Sequence, residues 1–306
     1  MIRQHPLAYL LGLEGVALLR GFAGEHGDEF TAARLRDIAA LLEVPDGLGG
    51  FVEAGPISTR DGYAGWAATY DDGSNQLIDL EQPIVREILD GLPAGVALDA
   101  ACGTGWHSAY LATLGHTVIG VDSSPEMLAV ARRNVPDAEF REGDLHELPL
   151  ATGSVGLVVC GLALSHFPDL DEVIAELVRV LQPGGHLVIS DSRGLIGDLG
   201  LPLVKSAPDG SFGYMPTWSH RTSDYLAAAL RLGLVLRRCD EPRRPSPIIA
   251  DDGTDPHDGT RAPEYVPGGP PDIWALHPLA IAAANAAWKG MPAAIVLHFQ
   301  RDTLTP

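Results

Sequence analysis

The feature that most constrains this chain is an apolar strand that leads through a glycine-rich turn into a helix, within residues 97–128. Asp99 lies at the end of the strand, and Gly103 and Gly105 follow in the turn. Glycine lets a backbone adopt positive φ and approach a ligand closely, and the amides that begin the next helix attract an anion. Asp122 ends the next strand, where its carboxylate can accept two ribose hydroxyls. The segment therefore predicts a site for an adenosine-bearing cofactor.

Strands and helices alternate from Leu92 to Glu241, which is typical of a parallel sheet built from βαβ units. The predicted fold class is therefore α/β. The predicted strands are Val96–Ala101, Val118–Val121, Ala138–Phe140, Val155–Cys160, His186–Asp191, Val235–Arg238 and a last strand at Ala293–Gln300. The predicted helices between them are Gly105–Leu114, Ser124–Arg133, Leu170–Leu181 and Ser223–Leu232.

Two regions depart from this alternation. Residues 1–60 carry two helical patterns, His5–Gly21 and Thr31–Leu42, with Thr31 as the expected N-cap of the second helix. Residues 241–292 begin with a stretch rich in proline and glycine and end with a predicted helix at His277–Lys289. We therefore predict an N-terminal helical cap at 1–60 and a cofactor-binding domain at 61–306, with a lid-like segment at 192–222 and a Pro/Gly-rich insertion at 241–292.

A NAD-dependent oxidoreductase is the first alternative, because dinucleotide enzymes also place glycines in this turn. Their G-x-G-x-x-G pattern would put its third glycine at Ser108, so the close packing of helix on strand is weakened here. Asp144 follows the third strand, where it can accept a hydrogen bond from the adenine amine while Leu145 donates its backbone N–H. These carboxylates at successive strand ends favour a compact adenosine ligand, and no catalytic set for hydride transfer is evident.

Five ordered motifs resemble those of class I, Rossmann-like methyltransferases that use S-adenosylmethionine (SAM). The resemblance runs from about Tyr63 to Glu241 and returns at the final strand. It implies a seven-stranded, mostly parallel sheet with an antiparallel last strand, SAM as cofactor and S-adenosylhomocysteine (SAH) as product. The pattern looks most similar to actinobacterial methyltransferases of secondary metabolism, which act on small molecules. The motifs are LDAACGTG (98–105), VIGVD (118–122), EGDLHELP (142–149), VVCGLALSHFPD (158–169) and RVLQPGGHLVISD (179–191).

The resemblance assigns cofactor contacts to residues at the strand ends. The glycine loop lies under the methionine and ribose, Asp122 holds the ribose hydroxyls, and Asp144 with Leu145 contacts the adenine edge. Asp99 either contacts the methionine amine or holds the amides of the loop, and both roles stay open. The predicted cofactor residues are Tyr63, Tyr70, Asp99, Ala101, Gly103, Gly105, Asp122, Ser123, Met127, Gly143, Asp144, Leu145, Cys160 and Gly161.

Aromatic residues upstream of the first motif recur at helical spacing, which is also typical of a core-facing stripe. Their segment resembles a region in which a tyrosine covers the SAM carboxylate and sulfonium, and aromatic faces attract such a cation. We therefore place Tyr63 and Tyr70 at the cofactor. The predicted substrate residues share a flat apolar ring that suits an aromatic acceptor, and they are Trp66, Phe212, Tyr214 and Trp218.

Two histidines are the candidate catalytic residues. Methyl transfer is an in-line displacement in which the protein holds the acceptor atom against the methyl group, and a base helps where that atom carries a proton. His166 lies in the loop after the fourth strand, and His220 precedes a predicted helix; both positions also suit a structural histidine. His5 is a third candidate that requires the N-terminal helix to fold over the pocket. The side chains show no metal-ligand spacing, so no metal is predicted.

The formal net charge of −19 disfavours nucleic acid and anionic membranes as partners. No apolar stretch reaches the length of a bilayer span, no signal peptide is expected, and three widely spaced cysteines suit a reducing compartment, so we predict a cytoplasmic protein. The predicted function is methylation of a small aromatic acceptor of the indole or phenol type, at N, O or C. A SAM-bound scaffold or cyclase without methyl transfer stays open, and so does a homodimer through the N-terminal helices.

Overall fold

The computed structural model describes residues 1–43, 45–71, 76–206, 212–257, 259–269 and 272–303. Contacts within the chain divide it into two compact units. Unit 1 comprises Met1–Pro56, Phe212–Tyr214 and Arg244–Met291, and unit 2 comprises Ile57–Ser211, Met215–Arg243 and Pro292–Pro306.

The secondary structure alternates between short strands and helices along most of the chain. The strands are β1 (Ile2–Gln4), β2 (Val52–Pro56), β3 (Val96–Ala100), β4 (Thr117–Asp122), β5 (Glu139–Glu142), β6 (Val155–Gly161), β7 (Leu181–Ser192), β8 (Leu203–Ser206), β9 (Phe212–Met215), β10 (Leu234–Asp240) and β11 (Ala294–Arg301). The α-helices are α1 (Pro6–Phe22), α2 (Asp28–Glu43), α3 (Thr59–Trp66), α4 (Gln76–Asp90), α5 (Trp106–Thr113), α6 (Pro125–Asn134), α7 (Leu170–Val180), α8 (Leu195–Asp198), α9 (Thr222–Arg231), α10 (Ile273–Leu276) and α11 (Ile281–Trp288). Single turns of 3₁₀-helix lie at Pro45–Leu48, Leu164–His166 and His277–Leu279.

Unit 2 contains a seven-stranded sheet with the strand order β10-β11-β7-β6-β3-β4-β5. The pairs among β3 to β7 are parallel, and β11 runs antiparallel to both β7 and β10. This topology confirms the predicted α/β fold with its antiparallel last strand. Because the parallel strands all end at one edge of the sheet, residues that follow β3, β4, β5 and β6 converge there, where ligands bind in open α/β sheets.

Helices cover both faces of this sheet, which explains why its central strands carry apolar residues on both faces. Successive residues of β3 alternate between two buried clusters, Ala97 in one and Leu98 in the other. Helices α4 and α5 pack on the first face, for example through Leu89 and Leu111. Helices α7 and α9 pack on the second face. The sheet is thus a rigid base for the loops at its carboxyl edge.

Gly120 in β4 lies directly against the ring of Phe140, its partner residue in β5. A Cβ atom at this position would lie 2.5 Å from two ring carbons of Phe140. We expect Gly120→Ala to lower the free energy of unfolding by about 1–3 kcal/mol, because a buried methyl group must displace the ring. Thermal denaturation measures the loss. Gly95→Ala is the control, because a Cβ there meets no heavy atom within 4 Å; equal melting temperatures for both variants would contradict the packing described.

Unit 1 combines the N-terminal helices with the segment before the last strand. Helix α1 packs against α2 and α11, and its residues Leu10, Leu13 and Ala17 are fully buried. Strand β1 pairs with β2 in antiparallel fashion, and Gly55 of β2 pairs with Gly213 in a parallel arrangement. Residues more than two hundred positions apart in sequence therefore share one core.

A buried polar cluster holds α1 and the end of α10 together inside unit 1. The Tyr9 hydroxyl lies 2.9 Å from Nε2 of His277, which is 2% exposed. The Arg244 guanidinium lies over the rings of Trp274 and Trp288, at 4.8 and 5.2 Å from their centroids. Burial, with a smaller contribution from the Arg244 charge, lowers the pKa of His277 to about 3.

This histidine makes stability depend on pH. Below its ordinary pKa of about 6.5 the unfolded chain binds a proton that folded His277 does not bind, so stability falls as pH falls towards 3. Between pH 6.5 and pH 5 we expect His277 to account for a loss of about 2 kcal/mol in unfolding free energy. Denaturant unfolding at several pH values should show a flatter profile for His277→Gln, whereas exposed His257→Gln should keep the wild-type slope. Parallel profiles for wild type and His277→Gln would contradict this assignment.

Two expectations from the sequence are corrected. Helix α2 begins at Asp28, so Thr31 is inside the helix and is not its N-cap; its hydroxyl instead donates to the Gly27 carbonyl. The helix predicted at His277–Lys289 is shorter in the structure, because a 3₁₀ turn at His277–Leu279 contains Pro278 and α11 begins only at Ile281. Several elements were not predicted, among them β1, β2, β8, β9 and the long helix α4. None of the helices in the described ranges is both long and apolar enough to cross a membrane.

Candidate cofactor and active site

The glycine loop after β3 is tied to the end of β4 by the Asp122 carboxylate. Oδ2 of Asp122 accepts the Gly103 N–H at 2.9 Å, and Oδ1 accepts the Ser124 N–H at 2.8 Å. Gly103 has φ of 53° and Gly105 has φ of 89°, so both positions need glycine's freedom. Burial raises the pKa of Asp122, while these N–H groups lower it by stabilising the anion. The structure thus brings together the loop and the carboxylate that the sequence predicts for ribose.

The Asp99 side chain is buried and is bonded to the first turn of α5, directly after the glycine loop. It is 1% exposed, and its Oδ2 accepts both the N–H and the hydroxyl of Ser108, at 2.8 and 2.6 Å. This bond holds the first turn of α5 on the end of β3. It favours the loop-holding role among the two left open, and it explains why a serine occupies the position of the third glycine in the dinucleotide pattern.

Two residues other than glycine adopt positive φ at the cleft. Ala101 has φ of 56° where β3 enters the loop, and Leu162 has φ of 54° after β6. A left-handed conformation costs a residue with a Cβ about 1–2 kcal/mol, and such strain is found where a ligand site demands it. Ala101 was predicted as a cofactor residue; Leu162 was not, because no sequence signal marks a left-handed leucine.

The predicted adenine residues lie at the ends of β4 and β5. Asp144 is exposed, and its Oδ1 accepts the His146 N–H at 2.8 Å. Gly143 cannot carry a side chain without meeting Pro149 and Val121, at 2.8 and 3.0 Å. Of three further predicted cofactor residues, Ser123 is half-buried, whereas Met127 and Leu145 are buried.

A cleft with about 390 Å³ of empty space lies between the glycine loop, the end of β6 and helix α4. Cys160 precedes the lining residue Gly161 and is fully buried, and burial raises the pKa of its thiol, which makes a reactive thiolate unfavourable. Gly161 lies against the imidazole of His107: a Cβ there would be 2.5 Å from Nε2. The residues that line the cleft are Tyr70, Ile78, Glu81, Ala101, Cys102, Gly103, Thr104, Trp106, His107, Gly161 and Leu162.

Tyr63, Trp66 and Tyr70 form one aromatic cluster. The rings of Tyr63 and Trp66 are nearly parallel at 6.0 Å, and the Trp66 and Tyr70 rings meet edge to face at 4.8 Å. Burial, with neighbouring acidic groups, raises the pKa of Tyr70 to about 12 and that of Tyr63 well above its usual value. Both phenols therefore stay protonated and act as hydrogen-bond donors near neutral pH.

His166 joins this cluster through its ring nitrogens. Nε2 lies 3.0 Å from the Tyr63 hydroxyl, and Nδ1 lies 3.4 Å from the carbonyl oxygen of Pro216. A carbonyl can only accept, so Nδ1 carries the proton and Nε2 accepts the Tyr63 O–H. Burial lowers the pKa of His166, so the ring is neutral at pH 7 and keeps a basic nitrogen.

His220 holds a loop together. Its Nε2 lies 2.8 Å from the carbonyl oxygen of Phe167, to which it donates, and the side chain is buried. Trp218 is 37% exposed, and its backbone N–H donates to the Ser165 carbonyl oxygen at 2.8 Å. The segment 215–220 is therefore bonded to the loop that contains His166.

The remaining candidates for substrate binding and catalysis belong to unit 1. Tyr214 pairs with Pro56 in the short parallel contact of β9 with β2. Phe212 begins β9, and its side chain lies outside the described set. His5 is the N-cap of α1, where its Nδ1 accepts the Leu7 N–H at 3.2 Å.

Three polar residues at the cleft escaped the sequence predictions. Oδ1 of Asp71 accepts the Thr104 hydroxyl and the Trp106 Nε1–H, both at 2.8 Å, and so ties the residue after Tyr70 to the glycine loop. Oε1 of Glu81 lies 3.3 Å from Nε2 of His107. Asp71 could have been found from the sequence, because it directly follows Tyr70 of the aromatic cluster. No sequence spacing indicates that Glu81 and His107 form a pair.

The fold and this site define an α/β protein that binds a nucleoside cofactor at the carboxyl edge of its sheet. In the described ranges no group of three or more His, Cys, Asp or Glu side chains could hold a metal ion. The Methyltransferase domain family matches residues 98–189, which include the glycine loop, Asp122 and the segment up to β7. The chain therefore carries a class I, SAM-dependent methyltransferase domain, as the five motifs indicated, and SAM is its cofactor.

Two curated relatives and one solved structure show what the chain is similar to. The chain is 42% identical over 101 residues to demethylmenaquinone methyltransferase of Chlorobaculum parvum, a match that covers 33% of this chain and 42% of the relative. It is 40% identical over 114 residues to an uncharacterised 37.1 kDa protein in transposon TN4556 of Streptomyces fradiae, covering 35% of this chain and 33% of the relative. The matches thus span less than half of these relatives. A solved complex of DhpI with SAH shares the fold, with a TM-score of 0.51, 19% identity and coverage of 78% of this chain and 93% of DhpI.

Proposed function

We propose that the protein transfers the methyl group of SAM to a small aromatic acceptor of the indole or phenol type. The observation that carries this proposal is the contact of His166 with Tyr63, within a cluster of aromatic rings that continues through Tyr70 to the cofactor cleft. Such rings can stack on a flat acceptor, and the basic nitrogen lies among them.

The residues present fit SAM. The loop at Gly103 and Gly105 would lie under the cofactor, Asp122 would hold the ribose hydroxyls, and Asp144 would accept from the adenine amine. When bound, SAM supplies an activated methyl group with a good leaving group. The protein itself then has to orient the acceptor, exclude water and receive a proton where the acceptor atom carries one.

His166 is suited to receive that proton at Nε2, because burial keeps the ring uncharged and Nδ1–H is directed at the Pro216 carbonyl. The Tyr63 hydroxyl donates to Nε2. It would either relay the proton from the acceptor atom to Nε2, or move aside so that the acceptor atom donates to Nε2 directly. His220 donates to the Phe167 carbonyl, so we assign it to positioning of this loop.

A small molecule is favoured as acceptor over nucleic acid because the chain carries a formal net charge of −19. The free thiols of Cys102, Cys160 and Cys239 fit a reducing, cytoplasmic location.

The proposal is tested by incubating the protein with methyl-labelled SAM and a panel of indoles and phenols. We expect a product one methyl group heavier, formed in equal amount with SAH. A SAM-bound scaffold or cyclase predicts that no labelled product forms with any acceptor. Conversion of an acceptor without SAH, or with reduction of NAD, would contradict the proposal.

A further inference from the structure

The cleft contains a buried carboxylate with one unused oxygen. Glu81 lies on α4, is 1% exposed and directs Oε1 towards His107 at 3.3 Å. Its Oε2 is buried and has no hydrogen-bond partner among the described residues. A buried carboxylate oxygen without a donor costs free energy comparable to a lost charged hydrogen bond, so such an atom in a ligand cleft indicates a missing donor.

The surroundings of Glu81 show which part of the cofactor it faces. Glu81 lines the same cleft as Ala101, Gly103, Gly161 and Leu162. These residues lie at the ends of β3 and β6, the strand ends that the family resemblance assigns to the methionine portion of SAM. Adenine and ribose are assigned to the ends of β4 and β5, so Glu81 lies on the amino-acid side of the cofactor.

The acidic groups around His107 also favour binding of a cation at Glu81. Glu81 and Asp99 place two carboxylates near one imidazole, that of His107. Burial alone would lower the pKa of His107, but these carboxylates outweigh it and raise the pKa. A protonated His107 provides a charged partner for Oε1 of Glu81, whereas no described donor reaches Oε2. Asp99 is bonded to Ser108, whereas Oε2 of Glu81 is left for a positively charged donor.

We propose that Glu81 binds the α-ammonium group of SAM and so selects cofactors that keep their amino-acid tail. This inference rests on the proposed function. An ammonium group offers three N–H donors and a full charge, which is what an unpartnered buried carboxylate oxygen requires. His107 acts as a positioning residue that holds Oε1, so that Oε2 faces the cleft.

Binding measurements with two ligands test this role. SAH keeps the ammonium group, whereas 5′-methylthioadenosine keeps the adenosine and thioether but lacks the amino-acid tail. We expect Glu81→Gln to bind SAH at least tenfold more weakly than wild type and to bind methylthioadenosine within twofold of wild type. Glu87→Gln, on the exposed face of the same helix, should leave both affinities unchanged. Unchanged SAH binding by Glu81→Gln, or an equal loss for both ligands, would overturn the assignment.

A second measurement begins with the wild-type protein alone. Wild-type protein should bind SAH at least tenfold more tightly than the SAH analogue in which hydrogen replaces the amine, and Glu81→Gln should lose most of this preference. Equal wild-type affinity for both ligands would overturn the role of Glu81 while leaving SAM binding intact. Failure of wild type to bind either SAM or SAH would instead contradict the proposed function itself.

Discussion

Asp122→Ala is expected to weaken SAM binding by about 100-fold or more. The carboxylate would accept both ribose hydroxyls, and a hydrogen bond to a charged group contributes about 1.5–3 kcal/mol, with about 1.4 kcal/mol for each tenfold change in affinity. The substitution also removes the acceptor for the Gly103 and Ser124 N–H groups, so the loop loses its fixed position. Calorimetric titration with SAM measures the effect directly.

Two further variants distinguish loss of the ribose hydrogen bonds from a nonspecific loss of structure. Asp122→Asn keeps the volume but replaces an acceptor oxygen by a donor, so it should lose most of the affinity as well. Asp137→Ala, at an exposed position just before β5, should bind SAM like wild type. Wild-type affinity in Asp122→Ala, with its fold intact by circular dichroism, would contradict the placement of the ribose.

His166→Gln is expected to lower kcat by roughly 100-fold or more on the acceptor that wild type methylates, the range found when a general base is removed. The SAM dissociation constant should change by less than about threefold, because His166 is not itself a predicted cofactor residue and glutamine keeps an acceptor for the Tyr63 O–H. Single-turnover kinetics at saturating SAM measures the chemical step separately from binding.

The pH profile distinguishes a base from a structural histidine. Burial lowers the pKa of His166, so wild-type kcat should be constant near pH 7 and fall only below the ordinary histidine pKa, where Nε2 becomes protonated. The residual kcat of His166→Gln should not decrease at low pH. Tyr63→Phe should have a lower kcat than wild type but should keep the decrease at low pH. A full kcat in His166→Gln at unchanged SAM affinity would remove the proposed base.

The central βαβ region was predictable because its signals are local. Strands β3 and β4 are short apolar runs that end at charged residues and glycines, and Pro125 marks the first turn of α6. Predicted and observed bounds there differ by one residue. The antiparallel β11 was identified through the family resemblance, since strand direction depends on chain connections that local periodicity does not encode.

The parts that escaped prediction depend on contacts between distant residues. Helix α4 contains Pro83, which disfavours a helix interior, yet its face with Val85, Ile88 and Leu89 is buried and stabilises it. Unit 1 joins residues from both ends of the chain, and the three-residue strand β1 exists only because β2 pairs with it. No pattern within a short window reports such a pairing.

The candidate site divides in the same way. Gly103 and Gly105 lie in one motif and Asp122 in the next, and the structure brings them together as the sequence predicts. Glu81 reaches the cleft from α4, and its contact with His107 joins two helices that are separated by β3. Such a pair is visible only when the helices are packed on the sheet.

Calorimetric titration of the wild-type protein with SAM and with NAD tests the cofactor on which every assignment depends. The account predicts saturable binding of one SAM per chain, competition by SAH and no binding of NAD. Binding of NAD at the same site, or failure to bind either SAM or SAH, would contradict it.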